Sequence, residues 1–170
     1  NWDFMVYMMN GEYLLGQGSY IEWYRGPVAG LILGLIRLIV PRPVASVLFV
    51  VGVSVLFLHA ARTVAARYDL SIDRFYVLLV SPFVIMQGTF HGTEMLALAF
   101  GMLFIGELDR PRAGLWLALA FLTRYTFAFA VPLVLIQWDL WRMVKTYTLA
   151  AAPVLAWFGF NWYALGDPLT

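Results

Sequence analysis

Val44-Ala45-Ser46-Val47-Leu48-Phe49-Val50-Val51-Gly52-Val53-Ser54-Val55-Leu56-Phe57-Leu58-His59-Ala60-Ala61 is a run of 18 residues without a carboxylate, lysine or arginine. A membrane-crossing helix needs about 20 apolar residues, with a range of about 17–25. The run fits that length and stops at Arg62 and Arg67, which mark a boundary with water. Only one polar side chain in it, His59, carries a titratable group, and on an apolar segment it reads as a packing residue rather than a ligand. Upstream, Pro41-Arg42-Pro43 breaks the chain, since neither proline can continue a helix. Before that break, Val28–Val40 is apolar for 13 residues apart from Arg37. It is too short to span and reads as an amphipathic helix lying in the interface.

Downstream the pattern repeats. Asp69, Asp73 and Arg74 precede a second apolar run, Phe75–Phe90, which ends at His91-Gly92-Thr93-Glu94. Met95–Ile105 returns and ends in Glu107, Asp109, Arg110 and Arg112. Leu115–Ile136 is apolar except for Thr123-Arg124-Tyr125-Thr126 in its middle. Asp139, Arg142 and Lys145 follow, then Thr146–Trp162. Lysine and arginine concentrate in cytoplasmic loops. With the clusters Arg62/Arg67/Arg74, Arg110/Arg112 and Arg142/Lys145 all inside, Val44–Ala61 runs inward, Phe75–Phe90 outward and Met95–Ile105 inward. Leu115–Ile136 then starts and ends inside, a hairpin of two short helices with Arg124 at its tip. The last run points outward. Asp3 and Glu94 fall on the same, outer side. A rival topology makes Val28–Val40 a true span and separates Glu94 from Asp3.

Composition agrees with a membrane protein. Hydrophobic residues make up 62% of the chain and charged ones 12%, against about 25% charged in a soluble domain. A net charge of +1 lacks the basic excess of a nucleic-acid binder. With no cysteine, disulfide frameworks and thiolate metal sites are excluded. The expected architecture is all-α, a polytopic transmembrane helix bundle of about six helices, with residues 1–43 an extracytoplasmic loop carrying an interfacial helix and 44–170 the bundle. The opening at Asn1 and the end at Thr170 read as those of an internal fragment, one domain truncated at both ends.

Ionisable groups at membrane depth are costly and mark chemistry or transport. Asp3 sits at the edge of this apolar chain, where a carboxylate serves as a general base or an oxygen ligand to a metal. A solvated loop acid is the plainer reading. Glu94 begins a helix, where negative charge suits the macrodipole. Thr93 is a candidate N-cap, and His91, three residues before Glu94, can share a proton or a ligand with it. Arg124 interrupts an apolar stretch at a cost of about 2.5–3.5 kcal/mol, so it should face a cavity, a partner or a phosphate, or snorkel to water at the hairpin tip. Arg25, in Trp23-Tyr24-Arg25-Gly26-Pro27, can reach a phosphate of a substrate or of an ordinary lipid. Gly101 and Gly106 read as helix-packing positions.

The order of these pieces resembles the GT-C superfamily of integral-membrane glycosyltransferases, in the branch of protein mannosyltransferases and aminoarabinose transferases. The resemblance rests on an early acid, Arg25-Gly26-Pro27 and a short helix, Ser81-Pro82 before an outer acid, Leu122-Thr123-Arg124-Tyr125-Thr126, and Phe160-Asn161-Trp162-Tyr163-Ala164-Leu165-Gly166-Asp167-Pro168. It implies a transferase that moves a sugar from a polyprenyl-phosphate carrier, of the dolichyl-phosphate type, to a lipid, glycan or protein acceptor on the extracytoplasmic side. It implies Asp3 and Glu94 as catalytic acids, and Arg25, His91, Arg124 and Tyr125 as substrate-binding residues. It leaves a divalent metal (Mg or Mn), held by Asp3 and Glu94, open. The implied setting is a multi-pass protein of a prokaryotic plasma membrane, with membrane lipids as neighbours and no nucleic-acid partner. The paired acids of several relatives are not kept, since Phe4 follows Asp3. A transporter or flippase using Glu94 and Arg124 as coupling charges, or a non-catalytic membrane scaffold, stands as the alternative.

Overall fold

The computed structural model describes residues 2–79, 86, 93–137 and 139–166. Among these the chain is all-helical. Helices α1 (Trp2–Leu14), α2 (Pro27–Arg37), α3 (Arg42–Arg67) and α4 (Ile72–Leu79) are followed by α5 (Thr93–Gly106) and α6 (Ala113–Thr123). A 3-10 helix, Tyr125–Ile136, and α7 (Leu140–Leu165) complete the order.

The deciding stretch forms α3, a helix of 26 residues that is long and apolar enough to cross a membrane. The prolines that break the chain also start this helix. Pro41 is its extended N-cap and Pro43 lies in its first turn, where a missing N–H costs nothing. Ala45, Phe49, Val53, Phe57, Ala60 and Val64 form its buried stripe, while Val44, Val47, Leu48, Val51, Val55 and Leu58 are exposed. A helix apolar on both faces belongs in a core or in lipid. His59 is exposed rather than packed.

Where the sequence suggests an outer loop around Asp3, residues 2–14 are helical. Asn10-Gly11 in its middle has poor helix propensity, yet the glycine is what lets α1 dock. A Cβ on Gly11 would collide with the carbonyl of Gly30 and come within 2.8 Å of Gly34 N. Gly30 and Gly34 lie four apart, the spacing that brings backbones together in membrane helices. The short apolar helix is present as α2, but the two faces differ in size rather than polarity. Gly30, Leu33 and Gly34 are buried, and the exposed side carries Leu31 and Leu35.

Helices α3 and α5 run parallel, with Ser54 beside Met95 (3.9 Å) and Thr63 against Gly106. α4 begins the return between them, its Tyr76 hydroxyl donating to Leu58 O at 3.3 Å. Most of the Phe75–Phe90 run lies outside the described residues. Gly106 and Gly101 are packing positions, the latter against the Phe127 ring.

The Leu115–Ile136 run does bend at Arg124. α6 stops there because Arg124 is extended (φ −145°, ψ 111°). The returning arm is a 3-10 helix of 12 residues, much longer than the usual three or four. Its rise of about 2.0 Å per residue carries it roughly 24 Å, against roughly 18 Å for an α-helix of that length. The extra reach brings Gln137 to Leu108 O, to which its side-chain amide donates. α7 is capped by Asp139, which accepts from Trp141 N and Arg142 N at 3.0 and 3.2 Å. It closes on Gly166 in the left-handed conformation (φ 76°).

One end of the bundle gathers the basic clusters. Arg67 pairs with Asp109 at 2.5 Å, and Arg142 donates to Asp109 O at 3.0 Å. Burial pushes the Asp109 carboxyl up, but its hydrogen bonds and Arg67 more than reverse this and hold it below the usual range. Arg112 and Trp116 both donate to Glu107 there.

Candidate functional site

The other side of α5 and α6 carries Glu94 and Arg124. Glu94 lies in the first turn of α5 and is joined by the Arg124 guanidinium in an ion pair. Thr93 donates its hydroxyl to Glu94 Oε2 at 3.0 Å. Thr93 thus supports the carboxylate from the first turn of α5. Arg124 reaches Glu94 because the chain leaves α6 there. Its N–H still bonds Ala120 O (2.9 Å), and Thr123 turns its hydroxyl back to Leu119 O (2.6 Å). Both side chains are partly exposed, Glu94 26% and Arg124 38%. The pair is reachable by a ligand.

Arg25 approaches from the loop between α1 and α2. Gly26, next to it, packs directly on the Leu122 carbonyl and Thr123, where any Cβ would clash. That contact pins the loop beside the Arg124 bend. The Arg25 guanidinium lies over the Tyr7 ring (5.0 Å) and the Tyr24 ring (5.6 Å). Its Nε donates to Glu22 Oε2 at 2.7 Å.

Asp3 is on α1, four residues before Tyr7. Its side chain is outside the described residues, as is His91. Tyr125 faces inward. Its hydroxyl accepts from Trp157 Nε1 at 2.9 Å, and its ring packs on Phe121 and Phe158. Trp23 reaches the same wall, against Trp157 and Phe160.

Glu22 is the residue that sequence reasoning missed. It accepts from Tyr20 (2.8 Å), Tyr24 and Arg25, and its backbone is clasped by Asn10 through bonds of 3.0 and 2.8 Å. Burial pushes the Glu22 carboxyl up. The bonds from Arg25, Tyr24 and Tyr20 outweigh that and hold it below the usual carboxylate range. A carboxylate so engaged stays ionised and positions Arg25. Its signal was the tyrosine two residues to either side, Tyr20 and Tyr24, whose hydroxyls both reach it around the turn at 22–25.

No three His, Asp or Glu side chains converge among the described residues. A divalent ion at Glu94 would have to displace Arg124. An apolar cavity of about 210 Å³ opens between α6, the 3-10 helix and α7, lined by Leu117, Phe121, Val131, Tyr147 and Val154.

No family model, curated protein or solved structure matches this chain.

Proposed function

We propose that the chain is part of a multi-pass membrane glycosyltransferase that moves a sugar from a polyprenyl-phosphate donor to an acceptor on the extracytoplasmic side. The observation that carries this reading is the Glu94–Arg124 pair, with the Arg25 loop seated on the same bend through Gly26. Two cations on neighbouring elements, each held by an acid (Arg124 by Glu94, Arg25 by Glu22), suit a substrate that is anionic at one end and hydroxylic at the other. The topology behind it has all three basic clusters in the cytoplasm, and the Glu94–Arg124 pair about halfway along α3, in a cavity open to the outer side.

In this mechanism Asp3 accepts the proton of the acceptor hydroxyl as its oxygen attacks the anomeric carbon. The bond from that carbon to the carrier phosphate oxygen breaks, and its electron pair leaves on the phosphate. The leaving group is already a stable anion, so cationic stabilisation matters more than a general acid. Arg124 and Arg25 supply it, the planar guanidinium fork matching phosphate oxygens. Glu94 orients Arg124 and the acceptor. Tyr125 and Trp157 wall the site on the α7 side. No step is routed through a metal.

Asp3→Asn in the full-length protein tests this. Loss of a general base lowers transfer by about 10²–10⁴-fold, with membrane insertion and donor binding retained. Unchanged turnover would remove Asp3 from the chemistry. Vectorial uptake of a solute by the purified protein, without sugar transfer, would replace the whole reading with a transporter.

A further inference from the structure

A polar cleft of about 580 Å³ opens at the start of α3, the opposite end of that helix from Arg67. Met9, Glu12, Gln17, Ser19, Tyr20 and Arg42 line it. One wall is the turn that ends α1. Gly16 is left-handed there (φ 73°), its N–H bonds Tyr13 O at 2.9 Å, and the Gln17 N–H bonds Glu12 O at 2.7 Å. Those two bonds make a Schellman close, which ties down the last carbonyls of a helix and fixes the turn after it. Gly18 then passes close to α1, where a Cβ would stand 3.0 Å from Tyr13 N. The wall is therefore built before any ligand arrives, and it leaves Gln17, Ser19 and Tyr20 exposed.

The lining donates and accepts hydrogen bonds, and its one cation and one acid are already paired. Arg42 grips Glu12 with two bonds, 3.0 and 2.7 Å. A guanidinium carries five N–H donors, and Arg42, with 48% of its side chain exposed, keeps the others for a ligand. Arg37 Nε lies 3.5 Å from the same carboxylate but is not part of the lining. The Gln17 amide and the Ser19 hydroxyl each donate and accept. Tyr20 adds an aromatic ring, 40% exposed. Planar amide and guanidinium groups can bridge neighbouring hydroxyls, and a ring face can cover the C–H groups of a pyranose. A lone phosphate suits the cleft less well, since it would meet the Glu12 carboxylate beside the one lining cation.

Tyr20 also ties the cleft to the arginine loop. Its hydroxyl donates to Glu22 Oε1 at 2.8 Å, and the other oxygen of that carboxylate accepts from Arg25 Nε at 2.7 Å. A single carboxylate thus separates the wall of the cleft from Arg25.

We propose that this cleft is a saccharide-binding site, and that it holds the outer rings of a glycan acceptor. Tyr20 stacks on one ring, and Gln17, Ser19 and Arg42 take its hydroxyls. The reacting hydroxyl lies past Tyr20, on the Arg25 side. The acceptor role rests on the transferase reading. Saccharide binding itself does not, because none of the lining residues is placed in that chemistry.

The test mixes the full-length protein, purified in a detergent without a sugar headgroup, with mannotriose, chitotriose or maltotriose. Saturation-transfer NMR then reads binding without turnover. At least one trisaccharide should receive saturation on its ring protons. Its Kd should rise about three- to tenfold in Gln17→Ala and in Tyr20→Ala, the loss of one hydrogen bond or one ring contact. Tyr20→Phe keeps the ring and should bind as the wild type does, whereas a role exerted only through Glu22 would make it as weak as Tyr20→Ala. Absence of transfer to all three sugars overturns the proposal. So does an unaltered Kd in Gln17→Ala, which lies on an exposed turn and decides the matter if Tyr20→Ala does not fold. A Tyr20→Phe as weak as Tyr20→Ala overturns it too. The two readings fail separately. Undiminished transfer in Asp3→Asn would count against the transferase mechanism and leave this binding intact, while absent binding would remove the site and leave that mechanism standing.

Discussion

An arginine inside an apolar run must find an anion or water, and Arg124 has found Glu94. Neither residue carries its partner's position in its local sequence, because they lie thirty residues apart and meet only when α6 folds back along α5. The sequence does show that Arg124 needs a partner and that Glu94 begins a helix. Removing one side of the pair leaves the other charge stranded. Arg124→Gln should therefore lower stability by about 1.5–3 kcal/mol, the range for a hydrogen bond to a charged group. Glu94→Gln on top of it should recover part of the loss. Thermal melts of the two singles and the double check this, and additive losses would show that the pair contributes nothing. Glu22 gives a pH-dependent counterpart. Its folded pKa is depressed, so its contribution is fully present above the ordinary glutamate value of about 4.3. It is lost as pH falls through the lower folded value. Trp23 fluorescence, reporting the loop against Trp157, should show an acid transition in that window. Glu22→Gln should flatten it, and an identical transition in the variant would assign the acid sensitivity elsewhere, with Asp109 and Glu107 the next carboxylates held low.

At the scale of elements, legibility followed composition. α3 was readable because a long apolar run has one outcome, and the bend at Arg124 was readable because charge interrupts an apolar helix. α1 was not, because Asn10-Gly11-Glu12 looks like a loop. The glycine there serves a contact with Gly30 and Gly34 that no local pattern announces. The 3-10 arm was equally hidden, since its length is set by the distance back to Leu108 rather than by propensity. Glycines at close crossings and glycines in open space should therefore respond oppositely to substitution. Gly11→Ala pushes a methyl into the Gly30 carbonyl and should cost about 1–3 kcal/mol, as overpacking does. Gly52, in the middle of α3 with nothing within 4 Å of its Cβ position, should tolerate alanine and gain up to about 1 kcal/mol. Melting temperatures of the two variants in one detergent measure the contrast, and equal shifts would refute the crossing argument.

At the scale of the whole molecule, the charge pattern and the contacts agree on which ends belong together. The end of α3, the loop after α5 and the first turn of α7 supply Arg67, Asp109 and Arg142 to one end of the bundle. The positive-inside rule groups the same segments on one side without reference to any contact. The rival topology would put these contacts outside, and its span at Val28–Val40 would part Ser19 from Arg42, which line one cleft. Side-specific labelling tests the orientation directly, and the absence of cysteine makes it clean. Arg110 and Ser19 are both exposed and lie on loops at the two ends. In the full-length protein in sealed right-side-out vesicles, an impermeant thiol reagent should label Ser19→Cys and leave Arg110→Cys untouched until the membrane is opened. Labelling at both positions would fit the rival topology, and the reverse pattern would invert the whole bundle; either would turn the Glu94–Arg124 pair toward the cytoplasmic side. An extracytoplasmic transfer reaction could not then use it, because the carrier phosphate and the two cations would stand on opposite faces of the bilayer.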